Sequence, residues 1–207
     1  LLRVATEPDM LKNETITLYG PAILILLIVA WGLGRILYLR LREDVSVLTV
    51  LRQEKTDAER ALAIIAIILD GYLLLRPLIP DLDQWVYTQQ SSIPEFGLTI
   101  MLFGLFVVLL CQFAMGKSWR IGVPAEKEES QTLITTGFYA YSRNPIYVGI
   151  LIFLLGCVVT VPGPITILSL VFTAMFVRTI VKNEEVFMAA SFGKEFETYC
   201  HEVRRWI

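Results

Sequence analysis

The sequence predicts an all-α, polytopic membrane protein of about five transmembrane helices, and three observations carry that prediction. Of 207 residues, 55% are hydrophobic and 18% charged, whereas a soluble domain holds about 25% charged residues. The apolar residues gather into five long runs, the signature of segments that cross lipid. Lysine and arginine fall in alternate connections between those runs, as the positive-inside rule requires.

The first run spans residues 18–39, follows an acidic stretch (Glu7, Asp9, Glu14) and has no basic region before it. It reads as a retained helix rather than a signal peptide. The second run spans residues 61–79 and the third 96–115. About 20 helical residues cross a hydrocarbon core of ~30 Å, so these three runs are long enough. The fourth (146–161) and fifth (165–181) are shorter and are joined by Pro162-Gly163-Pro164. That triplet stops a helix and predicts a tight antiparallel hairpin.

Arg40, Arg42, Arg52, Lys55 and Arg60 lie between the first two runs, and Lys117, Arg120, Lys127 and Arg143 between the third and fourth. Lys182, Lys194, Arg204 and Arg205 follow the fifth. The connection between runs two and three is acidic instead (Asp81, Asp83, Glu95). This asymmetry predicts an N-terminus outside, with the C-terminus and the polar segments in the cytoplasm. Gly97 and Gly104, like Gly149 and Gly156, are seven residues apart. Each pair therefore shares one helical stripe suited to close packing.

The chain divides into an N-terminal region of three helices, residues 1–115, and a polar C-terminal region, 116–207. The net charge of −2 and the lack of a basic stripe argue against nucleic acid. Cys111, Cys157, Cys200 and the single His201 have no ligand spacing, so no metal site is expected. Asp70 and Arg76 sit within the second run, where an ionisable side chain is either functional or paired across helices.

One dense polar constellation remains. Glu126-Lys127 is followed by Gln131-Thr132-Leu133-Ile134, Gly137-Phe138-Tyr139 and Arg143-Asn144-Pro145-Ile146-Tyr147-Val148-Gly149. Glu184-Glu185, Phe192-Gly193 and Tyr199 come after the hairpin. The hairpin returns the chain to the face it left, so Arg143 to Tyr147 should meet Glu184-Glu185 near one membrane surface. Taken singly, Arg143 reads as a cytoplasmic anchor, Pro145 as a helix starter and the tyrosines as an interfacial belt. Their order and spacing around a hairpin is what those readings leave unexplained.

Over residues 116–205 the constellation resembles the isoprenylcysteine carboxyl methyltransferase family and, more loosely, the phospholipid N-methyltransferases. The shared pattern is Arg-His-Pro-x-Tyr-x-Gly, a hydrophobic hairpin, Glu-Glu, Phe-Gly and Tyr. The resemblance implies S-adenosylmethionine as methyl donor, held by a cytoplasmic loop and a C-terminal helix. It puts donor contacts on Gln131, Thr132, Leu133, Ile134, Tyr139, Asn144, Pro145, Ile146, Tyr147 and Glu184. It implies catalytic roles for Arg143 and Glu185 and a lipophilic or prenylated substrate. Two positions depart from the family. Its histidine is Asn144 here, which hydrogen-bonds but carries no charge. Its substrate-binding arginine falls on Ile180, so Arg178 is taken for that role, with Trp119 as a lid or headgroup anchor. Carboxyl methylation is the first expectation. Phospholipid or amine N-methylation, a nicotinamide-dependent membrane reductase of related fold, and a non-catalytic membrane protein are the alternatives.

Overall fold

The computed structural model describes residues 7–42, 56–116 and 132–207, with side chains from residue 12 onward. Trp119, Gln131 and the charged residues of 43–55 and 117–131 lie outside the described residues. Every regular element among those described is helical: α1 (Glu7–Arg42), α2 (Asp57–Leu75), the single turn α3 (Leu82–Trp85), α4 (Pro94–Met115), a 3-10 turn (Gly137–Ala140), α5 (Pro145–Thr160), α6 (Pro164–Phe192) and α7 (Lys194–Glu202).

Three of these helices, α1, α4 and α6, are long and apolar enough to cross a membrane, and α5 is a shorter apolar helix. Large apolar side chains such as Leu26, Leu33, Ile67, Phe103 and Met175 are exposed on the outside of the bundle. Water would penalise that exterior and lipid does not. The chain is an integral membrane protein.

Helix boundaries follow local chemistry more closely than hydropathy. α2 begins at Asp57 because Thr56 caps it: Glu59 N–H donates to Thr56 Oγ1 (3.3 Å) and Thr56 N–H donates to Glu59 Oε2 (2.8 Å), a capping box. It ends at Leu75: Arg76 keeps helical dihedrals and donates its N–H to the Tyr72 carbonyl as the cap, and Pro77 after it has no N–H with which to continue the ladder; the apolar run had placed that end at 79. α6 runs eleven residues past its apolar run, to Phe192. Glu184 and Glu185 are therefore helical and not part of a loop. Gly193 then takes φ +53, a region open chiefly to glycine, and lets α7 start at once.

The hairpin forms as expected. Thr166 Oγ1 donates to the Val161 carbonyl (2.7 Å), and Gln89 N–H donates to the Pro162 carbonyl (2.8 Å). The two glycine pairs turn out to face each other. A Cβ on Gly156 would lie 2.5 Å from Met101 N and 2.8 Å from the Gly97 carbonyl. One on Gly149 would lie 3.0 Å from the Gly104 carbonyl, and one on Gly104 would strike the Phe153 backbone. α4 and α5 thus run antiparallel with their backbones in contact, 97 opposite 156 and 104 opposite 149.

The apolar core joins Leu24 and Ile25 of α1, Leu69 and Leu73 of α2, Met101 of α4, and Phe153, Leu154 and Cys157 of α5. At the end of the bundle holding the α5–α6 turn, Arg76 is 3% exposed. Its Nε and Nη2 donate to Asp83 (2.7 and 2.6 Å) and its Nη1 to the Thr17 carbonyl (2.6 Å). Tyr72 adds its hydroxyl to Asp83 (2.9 Å) and accepts from Thr88 (2.5 Å). Arg76 is thus paired, as one of the two readings of this position had it. Burial alone would raise the Asp83 carboxyl, but Arg76 and Tyr72 hold it below the ordinary value.

Candidate functional site

The opposite end of the bundle brings together the N-terminus of α5, the last turns of α6, α7 and the residues after it. α5 starts where the sequence predicts because Pro145 occupies its first turn, where a missing N–H costs nothing. That fixes Tyr147 one turn in, facing α6. The Tyr147 hydroxyl donates to Glu184 Oε1 at 2.6 Å, the geometry of a charge-assisted bond. Consecutive helix residues point about 100° apart, and the two glutamates part accordingly.

Glu185 meets a different set. Arg205 Nε and Nη2 donate to its two oxygens at 3.0 and 2.6 Å, and Arg143 Nη2 lies 3.1 Å from Oε1. The backbone reinforces this clamp. Arg143 N–H donates to the Arg204 carbonyl (2.9 Å), and Asn144 Nδ2 donates to the Arg205 carbonyl (3.1 Å). Asn144, at the family's histidine position, is buried and spends its amide on this strap. Arg143 Nε is buried without a partner among the described residues.

Tyr139 closes the apolar side. It packs with Val107 and Cys111 of α4 and with Ile134 and Ile146. Its carbonyl accepts the Tyr199 hydroxyl at 2.6 Å. Burial pushes the Tyr139 phenol well above its usual value and Tyr199 up to about 12, so both are neutral at physiological pH.

Of the residues singled out in the sequence, Ile134, Tyr139, Arg143, Asn144, Pro145, Ile146, Tyr147, Glu184 and Glu185 converge on this end. Thr132 and Leu133 lead into it, the first exposed and the second half-buried. Gln131 and Trp119 lie outside the described residues. Arg178 does not converge. It is exposed, six residues before Glu184 and roughly 120° around the helix from it, while the buried side chain on the Glu184 side is Ile180, 4% exposed. Sequence reasoning missed Arg205 as a site component, because a basic tail residue reads only as an orientation signal.

The arrangement suits a cationic ligand. An aromatic face and a carboxylate stand together, and the nearby guanidinium groups of Arg143 and Arg205 are turned to Glu185 and not to Glu184. These residues fit a sulfonium donor bearing an ammonium group.

Residues 94–195, just under half of the chain, match the family model described as phospholipid methyltransferase. The chain is similar to the protein-S-isoprenylcysteine O-methyltransferase of Rattus norvegicus, 30% identical over 63% of this chain and 51% of that protein. The Homo sapiens protein of the same name gives the same identity and shares. The Saccharomyces cerevisiae one is 23% identical over 70% of this chain and 60% of its own length. The chain thus spans about half the length of the mammalian relatives it matches. Among solved structures, it superposes on a eukaryotic intramembrane Ras methyltransferase, isoprenylcysteine carboxyl methyltransferase, with a TM-score of 0.59. That match covers 88% of this chain and 66% of the other at 19% identity, which speaks for the fold. The resemblance read from the sequence is borne out by these comparisons.

Proposed function

We propose, from the premise that this chain is built like the isoprenylcysteine carboxyl methyltransferases, that it is an integral membrane methyltransferase using S-adenosylmethionine on a lipophilic substrate, with carboxyl methylation of a prenylated cysteine as its reaction. The observation that carries the proposal is the Tyr147–Glu184 pair, which sets a carboxylate and an aromatic face beside the start of α5.

The donor, when bound, would supply an activated methyl on a sulfonium, whose S–CH3 bond would break to leave a neutral thioether as the methyl passes to an acceptor carboxylate oxygen. The chain's own residues then have to orient and to exclude water. Glu184 would accept hydrogen bonds from the donor's ammonium or ribose, and Tyr147, which donates to that carboxylate, would hold it in place. Thr132, Leu133, Ile134, Tyr139, Asn144, Pro145 and Ile146, with Gln131, would wall the donor, as the resemblance implies. A carboxylate acceptor needs no general base, which suits a Glu185 whose oxygens already face two guanidinium groups. Glu185 and Arg143 then act by fixing the start of α5 against α6. Residues 116–207 form the catalytic region, seated on the helices of 1–115. α1, α2, α4, α5 and α6 span the membrane, with the N-terminus outside and the site at the cytoplasmic face.

The match to phospholipid methyltransferases supports a second reading, an amine acceptor. One assay decides between them: labelled methyl transfer to a farnesylated cysteine derivative and, in parallel, to phosphatidylethanolamine. Base-labile label on the prenylcysteine is expected. Label on phosphatidylethanolamine alone would make the acceptor an amine. Thermal stabilisation by NADPH, with none by S-adenosylhomocysteine, would remove the methyltransferase reading altogether.

A further inference from the structure

Arg178 and Lys182 lie four residues apart on α6 and are both exposed, as are Thr179 and Asn183 beside them. Among the described residues neither cation has an ion pair or a hydrogen bond. Two like charges one turn apart repel each other, so among the described residues this arrangement has no counter-charge. The same stripe of the helix explains where the counter-charge comes from. Leu168, Val171 and Met175, at helical spacing before Arg178, are 50%, 47% and 57% exposed. The stripe faces lipid, and it turns from apolar to cationic about 21 Å from Pro164 along the axis at ~1.5 Å per residue. Lys182 is one turn further. With the α5–α6 turn at one membrane surface, both cations reach the headgroups of the opposite leaflet, their stems snorkelling along the helix.

We propose that Arg178 and Lys182, with the Thr179 hydroxyl and the Asn183 amide, form a docking surface for the phosphate of an anionic glycerophospholipid. The apolar stripe above them takes its acyl chains. The surface faces away from Glu184 and is independent of the methyltransferase reading. Lipid is favoured over free phosphate because the cations continue an acyl-compatible face and are not set in a polar concavity.

Native mass spectrometry of the detergent-solubilised protein, equilibrated with equal amounts of phosphatidylglycerol and phosphatidylcholine, tests this. Wild type should retain phosphatidylglycerol in preference. The Arg178→Gln/Lys182→Gln variant should lose that preference by roughly 30-fold, as expected for two basic groups at an anionic surface. Arg178→Lys, which keeps the charge, should retain most of it. Arg40→Gln/Arg42→Gln, at exposed cations of α1, should leave it intact. Unchanged preference in the Arg178/Lys182 variant would overturn the proposal, as would an equal loss in the α1 variant. Displacement of the lipid by millimolar inorganic phosphate would assign the surface to a free anion instead.

Discussion

The two ends of the bundle each hold an arginine on a carboxylate, Arg76 buried and Arg143 partly so, yet they are built differently. Around Arg76, Nε, Nη1 and Nη2 all have acceptors, and Asp83 is held by Arg76 and Tyr72 together. Around Arg143, among the described residues, Nε has no partner and Glu184 holds a single hydrogen bond, from Tyr147. A network whose groups are all matched fastens one helix to the next. A network with spare acceptors and donors in a buried place is prepared for something else to supply the rest.

Removing the closed network should give the largest effect. Arg76→Met leaves Asp83 and the Thr17 carbonyl without their donor, and breaking a buried pair costs about 3–5 kcal/mol. A large drop in melting temperature in detergent is expected, with the affinity of the remaining folded protein for S-adenosylhomocysteine unchanged. Equal damage to both quantities would show that the two ends are not separable.

The open network should respond the other way. Glu184→Gln should lower S-adenosylhomocysteine affinity by roughly 10- to 150-fold, the worth of one charge-assisted bond, with little change in melting. Glu185→Gln, which loosens the Arg143 and Arg205 clamp, should lower melting more than affinity. Calorimetric titration beside a thermal melt separates the two, and equal affinity losses would refute the assigned helix register.

Between the ends, Gly156→Ala puts a methyl against the backbone of Met101. Overpacking of this kind costs ~1–3 kcal/mol, so melting should fall. Gly71→Ala, with nothing within 4 Å of the added carbon, should leave melting unchanged or raise it, since alanine favours the helix by about 1 kcal/mol.

The smallest effect concerns pH. The folded Asp83 carboxyl is depressed, so its stabilisation is fully present above the unfolded value, near 3.9, and is lost as pH falls through the lower folded value. Between pH 5 and 8 Asp83 should contribute no slope to the melting temperature. Below about pH 4 wild type should lose stability, and Asp83→Asn should lose less. A common acid slope in both would place the sensitivity elsewhere.

Much of this was legible in the sequence, for definable reasons. Apolar runs located the long helices, since lipid selects for them directly. They under-read α6 because hydropathy reports the surroundings of a helix, and a helix continues unchanged when it leaves lipid for water at Lys182. They misplaced both ends of α2, which Thr56 and Pro77 decide through backbone chemistry. Tyr147 and Glu184 were legible because the motif brackets a hairpin that forces them together. Arg205 was not, because its partner lies 20 residues back across the turn at Gly193, a distance no local pattern reports. Arg178 was assigned by nearness in sequence, whereas position around the helix axis governs what a side chain meets.

The contact between α4 and α5 has one more consequence, for motion. Where glycines bring two backbones together, no side chains lie between them to change rotamer and take up sliding. Two such points, at 97 with 156 and at 104 with 149, also prevent pivoting about either one. The pair is then a single stiff plate, with the start of α5 fixed to one edge of it. For the lipophilic substrate proposed above, this plate offers no door between α4 and α5.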